Sequence, residues 1–323
     1  MKIGDIEVKP LAAESMGVRS LCNFVTTPDV SILFDPSAAL AFRPPCEPHP
    51  EEYRALERAL ERIRTHANSA DVLSVSHYHF DHVRPRTTNW RYNFSSIEDL
   101  QCIFGNKRIL AKDSRENINP SQRRRAFYFE KDLQGISDIS WADGLTFAFD
   151  NTTVSYSKPL AHGPDNSRLG YVLATLVEYG DHKVLFAPDV QGPISKKTLS
   201  YILNQDANLI ILGGPPVYLK RFSEHESQAA LYSLTTLATV TSFLVVDHHL
   251  MRSADWKNWI APIRSVAERS GNELLCMADL AGVKPLLLES ERNALYTDNP
   301  PSDDFMNWLA SSDEFKIQNR PPI

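Results

Sequence analysis

Four side chains that can bind a metal ion occur within residues 77–82, which have the sequence His-Tyr-His-Phe-Asp-His. In an extended segment alternate side chains share one face, so His77, His79 and Asp81 can converge, while a turn would bring His82 to a second position. Neutral imidazoles with a carboxylate suit zinc, iron or manganese better than calcium or magnesium. Without a cation these polar groups would compete for partners, so the segment predicts a metal site.

The surrounding pattern predicts the elements that position this segment. Residues 71–76 form a short apolar run that predicts a buried strand, so the histidines begin where the strand stops. An earlier run, residues 31–34, predicts a second strand that ends at Asp35. From residue 50 to residue 67, apolar residues recur at three- and four-residue spacing after two glutamates, which predicts an amphipathic helix.

The rest of the chain predicts an α/β fold. A strand-rich middle is followed by alternating strands and helices, which favours two mixed β-sheets face to face with helices outside, a four-layer αββα sandwich. No repeat or Gly/Ser-rich linker divides the sequence, so we expect one domain over residues 1–323, with a less regular insertion around 85–135. The predicted strands are 145–149, 153–157, 169–178, 183–187, 208–212 and 241–247, and the predicted helices are 195–203, 224–237 and 256–269.

Composition excludes several classes of protein. The 34 Lys and Arg against 40 Asp and Glu give a net charge of -6, so no overall positive field attracts nucleic acid or an anionic membrane. No apolar run approaches the roughly 20 residues of a membrane span, and the N-terminus lacks a signal-peptide pattern, so we expect a cytoplasmic protein. The four cysteines form no CxxC pair, which argues against a thiolate zinc site.

Residues 77–82 match the HxHxDH signature letter for letter and so resemble the metallo-β-lactamase superfamily. Four further markers of that superfamily follow the expected order, so the resemblance covers roughly residues 1–280. They are Asp35 after an early strand, His162 in AHGP, Asp189 after VLFAP, and His248 in LVVDHH. Phrases such as RENINPSQ, FAPDVQGP and DHHLMR resemble a mainly archaeal branch of predicted metal-dependent hydrolases, which implies no particular substrate.

The resemblance implies two metal ions, of which zinc is the first expectation and iron or manganese are alternatives. The implied ligands are His77, His79 and His162 for the first ion, Asp81, His82 and His248 for the second, and Asp189 as the bridge between them. Asp35 would hold the metal loop by hydrogen bonds. In that superfamily the strand usually ends in two apolar residues, one variable residue and then the ligand histidine, which selects His248 over His249 and leaves His249 to support a ligand or contact the substrate.

The predicted function is a binuclear metal-dependent hydrolase. A metal-bridging hydroxide would attack an ester, lactone, thioester or phosphoester bond of a small molecule, so the protein need supply no nucleophile. Asp81 is the predicted proton acceptor. His249, Tyr78 and Tyr218 are candidate donors to the leaving group, although packing explains either tyrosine equally well.

Three other functions use similar ligands. A nuclease or phosphodiesterase predicts a basic groove lined partly by residues 107–125, but the net acidity makes nucleic acid an unfavoured partner. Reduction of oxygen or nitric oxide at two irons is disfavoured, because relatives with that chemistry usually have an acid where His79 stands. The complete ligand set disfavours a non-catalytic metal-binding sensor. The sequence specifies neither the substrate, the native metal nor the oligomeric state.

Overall fold

The computed structural model describes residues 1–165 and 167–323, and within them the strands form two seven-stranded sheets and one short pair. The first sheet contains β1 (Lys2–Ile3), β2 (Ile6–Ala13), β3 (Leu21–Thr26), β4 (Ser31–Phe34), β5 (Val72–Val75), β6 (Arg108–Ala111) and β7 (Asp138–Trp141). The later strands are β8 (Thr146–Phe149), β9 (Thr152–Tyr156), β10 (Leu160–Ala161), β11 (Tyr171–Val172), β12 (Thr175–Tyr179), β13 (His182–Ala187), β14 (Leu209–Gly213), β15 (Phe243–Asp247) and β16 (Glu273–Leu275).

Each large sheet changes from antiparallel to parallel pairing along its width. In the first sheet β1 to β4 pair antiparallel and β4 to β7 pair parallel. The second sheet has the order β16-β15-β14-β13-β12-β9-β8, with parallel pairing from β13 to β16. Strands β10 and β11 form the separate pair. Because parallel strands end at the same edge, the residues that follow β4 and β5, or β13 and β15, are brought together.

Side chains alternate between two cores along the strands. In β4, Ile32 and Phe34 pack between the two sheets, whereas Leu33 faces the helices outside the first sheet. In β14, Leu209 packs between the sheets and Ile210 faces the helices outside the second. The structure therefore has four layers, helix, sheet, sheet and helix, and the predicted fold class is confirmed.

Helices cover both outer faces. The predicted helix from Pro50 is confirmed, and it begins at a capping box in which His49 accepts from the Glu51 amide while Glu52 accepts from the His49 amide. In the described ranges, no helix combines the length and apolar character that a bilayer crossing needs. The helices are α1 (Pro50–Ser69), α2 (Ile97–Phe104), α3 (Pro120–Leu133), α4 (Lys196–Leu203), α5 (Glu224–Val240), α6 (Trp256–Arg269), α7 (Met277–Leu280), α8 (Leu288–Asp298), α9 (Asp303–Ala310) and α10 (Asp313–Gln318).

The region around 85–135 differs from the prediction of a less regular insertion. It contains α2, β6 and α3, and β6 lies inside the first sheet, paired with β5 and β7. The strand was missed because its apolar run, Ile109–Ala111, is only three residues long and stands between Arg108 and Lys112. The predicted strand 169–178 is also divided, into β11 and β12.

Candidate metal centre

Five candidate ligand or support residues follow the ends of strands. Asp35 comes directly after β4, His77 two residues after β5, and Asp189 two residues after β13. His248 comes directly after β15, and His162 follows β10. Asp35 and His248 adopt positive φ angles of 45° and 61°, which turn the chain sharply at these two strand ends. The carboxyl ends of strands in both sheets thus converge on one place.

The loop of residues 77–82 is closed by a turn and held by Asp35. The amide of His82 donates to the carbonyl of His79 at 2.9 Å, which brings the His82 ring back toward His77. The Asp35 carboxylate accepts from the amide and hydroxyl of Ser76 at 2.8 and 2.6 Å and from Nδ1 of His82 at 2.8 Å. Because these bonds use Nδ1 of His82, its Nε2 faces inward.

Asp189 lies between two groups of side chains whose ligand atoms are all within 4.8 Å of one another. In the first group, Oδ2 of Asp189 is 3.2 Å from Nε2 of His77, 3.8 Å from Nδ1 of His79 and 2.8 Å from Nε2 of His162. The second group consists of Asp81, His82 and His248. Oδ2 of Asp189 is also 3.5 Å from Nε2 of His82, and Oδ1 is 3.0 Å from Nε2 of His248, so the carboxylate contacts both groups.

Both members of the 248/249 doublet face Asp189. His248 Nε2 is 3.0 Å from Oδ1 of Asp189 and 3.6 Å from Oδ2 of Asp81, while its Nδ1 donates to Glu14 at 2.7 Å. His249 Nε2 is 3.7 Å from the same Asp189 oxygen, and neither of its ring nitrogens has a hydrogen-bond partner in the described part of the chain. His248 is therefore the better supported of the two rings, and its selection as ligand stays a prediction.

Glu14 and Arg252 are site residues that the sequence analysis missed. Glu14 is buried and accepts from both His248 and Arg252, and the Arg252 guanidinium is also 3.6 Å from Oδ2 of Asp81. The sequence contained a signal for Glu14, because this acid follows directly after β2, as Asp35 follows directly after β4. Arg252 stands four residues after His248, on the 3₁₀ turn His248–Arg252.

Two glycines permit the close packing beneath Asp189. A Cβ on Gly213 would lie 3.2 Å from the amide nitrogen of Asp189, and one on Gly214 would lie 2.6 Å from Cβ of Leu250. Gly214 also donates its amide to the carbonyl of Asp247 at 2.8 Å. The end of β14 therefore lies directly against both Asp189 and the 3₁₀ turn, which fixes the distance between them.

The chemistry of this cluster, the cage, fits divalent cations. The cage consists of His77, His79, Asp81, His82, His162, Asp189, His248 and His249. Several buried atoms that face one another have no hydrogen-bond partner in residues 1–165 and 167–323, namely Nε2 of His77, Nε2 of His162, Oδ1 of Asp189 and both ring nitrogens of His249. Such unpaired groups are costly unless something binds them. Imidazole nitrogens around a shared carboxylate are ligands that zinc, iron and manganese accept.

The titration behaviour of the cage agrees with this fit. Burial lowers the pKa of His77 and His79, which leaves their nitrogens free to act as ligands. Burial also disfavours protonation of His82 and His248, but the neighbouring carboxylates outweigh it and raise both pKa values, that of His248 to about 9. A metal ion bound to Nε2 of either ring would compete with a second proton at that nitrogen.

A cleft of about 530 Å³ opens over the cage. Its walls include five cage residues and four arginines, namely His79, Asp81, His162, Asp189, His249, Arg19, Arg125, Arg221 and Arg252. Tyr218 also lines it, whereas Tyr78 does not. Tyr78 is buried and donates its hydroxyl to the carbonyl of Lys112 at 2.7 Å, so its suggested role beside the leaving group is wrong.

Comparisons with known proteins agree with the fold. No family model matches the chain. It is 40% identical over 298 residues to a UPF0282 protein of Methanopyrus kandleri, covering 90% of this chain and 99% of that one. It is 35% identical over 295 residues to a UPF0282 protein of Korarchaeum cryptofilum, covering 90% of this chain and 94% of that one.

Among solved structures, the metallo-β-lactamase fold protein YhfI of Bacillus subtilis superposes with a TM-score of 0.50 at 13% identity, over 84% of this chain and 95% of that one. The chain thus has the metallo-β-lactamase fold.

Proposed function

The chain belongs to the UPF0282 family, and from the geometry of its cage we propose that it is a metal-dependent hydrolase that holds two divalent ions. The observation that carries the proposal is the buried carboxylate of Asp189, which contacts both groups of side chains. In the first group, Nε2 of His77 and Nε2 of His162 are unpaired. In this proposal the first ion is held by His77, His79 and His162, the second by Asp81, His82 and His248, and both by Asp189.

The ions would be zinc, with iron or manganese as alternatives, and they would lower the pKa of bound water and polarise the scissile bond. Asp81 is the proposed proton acceptor, because its side chain is 18% exposed, lines the cleft and belongs to the second group. His249 also lines the cleft, and burial lowers its pKa, so the neutral ring can contact the substrate or the leaving group.

The scissile bond in this proposal is an ester, lactone, thioester or phosphoester of a small molecule. The basic residues that a nuclease would present from 107–125 are largely engaged elsewhere. Lys112 is buried in an ion pair with Asp143 at 2.7 Å, and Arg115 pairs with Asp113 at 2.6 Å. Of this range, only Arg125 lines the cleft. The favoured partner is therefore a small molecule rather than a nucleic acid.

The first experiment measures metal content and hydrolysis together. Protein purified without added metal should contain two divalent ions per chain by elemental analysis, and a screen of generic esters, lactones, thioesters and phosphodiesters should find turnover. His79→Ala should lose metal binding and activity together. The loss should exceed the roughly 10–100-fold fall in metal affinity or activity that follows removal of a residue hydrogen-bonded to a ligand. His225→Ala, at an exposed position on α5, is the matched control and should retain both.

The outcomes separate the alternatives. Full metal content in His79→Ala would contradict the proposed ligand set. An iron-rich protein with visible absorbance and no hydrolysis would favour oxygen or nitric oxide chemistry. Activity on RNA or DNA with steep salt dependence would favour a nuclease. Two bound ions with no turnover of any substrate class would favour the sensor.

A further inference from the structure

Two of the four arginines that line the cleft are neutralised by acids of the chain. Arg19 forms two hydrogen bonds with the carboxylate of Glu289, at 2.6 and 2.7 Å. Arg252 is buried against Glu14, with Asp81 at 3.6 Å. Their positive charges are therefore used inside the protein, where they hold the C-terminal helix α8 and the His248 support in place.

The other two arginines, Arg125 and Arg221, have no such partner. Neither forms an ion pair with a carboxylate within 4.0 Å in the described part of the chain. Arg125 is half-buried on α3, where its guanidinium stacks on the ring of Phe80 at 4.3 Å and donates once, to the carbonyl of Tyr78 at 3.1 Å. Arg221 is exposed in the segment between β14 and α5. Two arginine side chains without a carboxylate partner thus line one cleft.

This local charge is opposite to that of the whole protein, whose net charge is -6. Asp81 and Asp189, the acids that line the same cleft, belong to the proposed cage, where divalent ions would neutralise them. Contact with the Phe80 ring restricts the Arg125 guanidinium before any ligand arrives, which reduces the entropy lost on binding. A guanidinium held this way with free N–H groups matches the oxygens of a carboxylate or phosphate.

We propose that the substrate carries an anionic group, a phosphate or a carboxylate, which Arg125 and Arg221 bind while the scissile bond lies over the cage. This inference rests on the proposed function, because it assigns a substrate class to the same site. It makes these arginines specificity-determining residues. It also predicts that the cleft discriminates between substrates that share a scissile bond and differ by one negative charge.

The test compares two esters with the same leaving group, para-nitrophenyl acetate and the mono-para-nitrophenyl ester of succinate. The wild-type protein should have the higher kcat/KM for the charged ester. The ratio of the two kcat/KM values should fall by about tenfold or more in Arg125→Met and in Arg221→Met, because each loses a charge-assisted contact. Arg124→Met is the matched control, since Arg124 is the exposed neighbour on α3 and does not line the cleft. An unchanged ratio in both cleft variants would overturn the inference.

A binding measurement separates this inference from the proposed function. Calorimetric titration of metal-loaded protein with inorganic phosphate and with succinate should give weaker binding in both cleft variants than in Arg124→Met, and the anion with the larger loss identifies the group. Failure to hydrolyse either ester would count against a carboxylate ester as the scissile bond, and failure on all four substrate classes of the first screen would count against the hydrolase, yet this loss of binding would still support the anion site. Equal binding in all proteins would overturn it. Because Arg221 is exposed, its variant remains informative even if Arg125→Met is destabilised.

Discussion

The two sides of the cage are built in different ways. The first sheet supplies His77, His79, Asp81 and His82 from one short loop, supported from behind by Asp35. The other side takes Asp189 and His248 from strand ends of the second sheet and His162 from the end of β10, in the separate pair. Its support, Glu14, comes from the first sheet, 234 residues away from His248. One side is therefore a local motif, and the other exists only in the folded chain.

This difference explains why the two sides depend on different interactions. The loop needs a single carboxylate and a turn, and the parallel pairing of β4 with β5 places Asp35 beside it. The other side also needs the close approach at Gly213 and Gly214 and a partner from the opposite sheet. Its geometry is thus set by the packing of the two sheets, and substitutions can separate the two contributions.

The largest expected effect comes from Asp189→Ala, which removes the carboxylate that faces both sides. Both ions should be lost and the rate of hydrolysis should fall by more than about 100-fold, because removing only a residue hydrogen-bonded to a ligand lowers metal affinity or activity by about 10–100-fold. Elemental analysis and substrate turnover measure this, with Asp181→Ala, at an exposed position of the same sheet, as the control. Retention of two ions would show that the two sides bind independently.

The doublet provides the next test, which is confined to the second side. His248→Ala should lose the second ion and keep the first, because His248 belongs to the second group and is oriented by Glu14. His249→Ala should keep both ions and lower kcat. Metal stoichiometry distinguishes the two variants directly. Loss of the second ion only in His249→Ala would reverse the assignment.

The smallest expected effects come from the two supporting carboxylates. Asp35→Asn and Glu14→Gln keep the size of each side chain and remove its charge, so each should weaken metal binding by about 10–100-fold. The Asp35 variant should weaken both ions, because the loop that Asp35 holds carries ligands of both, whereas the Glu14 variant should weaken only the second ion. Competition with a chelator, followed by elemental analysis, separates these losses. The same pattern of loss in both variants would contradict the division into two sides.

Sequence patterns predicted much of the fold because the signals are local. The apolar spacing of α1 and the short strands β4, β5 and β13 depend on neighbouring residues, and the structure confirms them. The convergence of Asp35, His162 and Asp189 was implied by the resemblance and by the ends of parallel strands, and the structure brings these residues to one place.

The missed features depend on partners far along the chain. Glu52 was identified only as an acid in the first turn of α1, whereas its buried carboxylate binds the guanidinium of Arg292 on α8, 240 residues later. Phe305 and Trp308 of α9 complete the core that α1 begins. No periodicity within either segment indicates such a pairing, because the contact exists only after the C-terminal helices have docked.

The bond from His248 to Glu14 has a thermodynamic consequence. It ties the proposed ligand His248, which follows β15, to the first sheet, so a cation held there would bind the docked sheets and not the separated ones. Binding of that cation then raises the free energy of unfolding of the protein, by about 2.7 kcal/mol when the free ion is at 100 times its Kd. Chelation would therefore loosen the sandwich as a whole, and ion availability would control how long the protein survives heat.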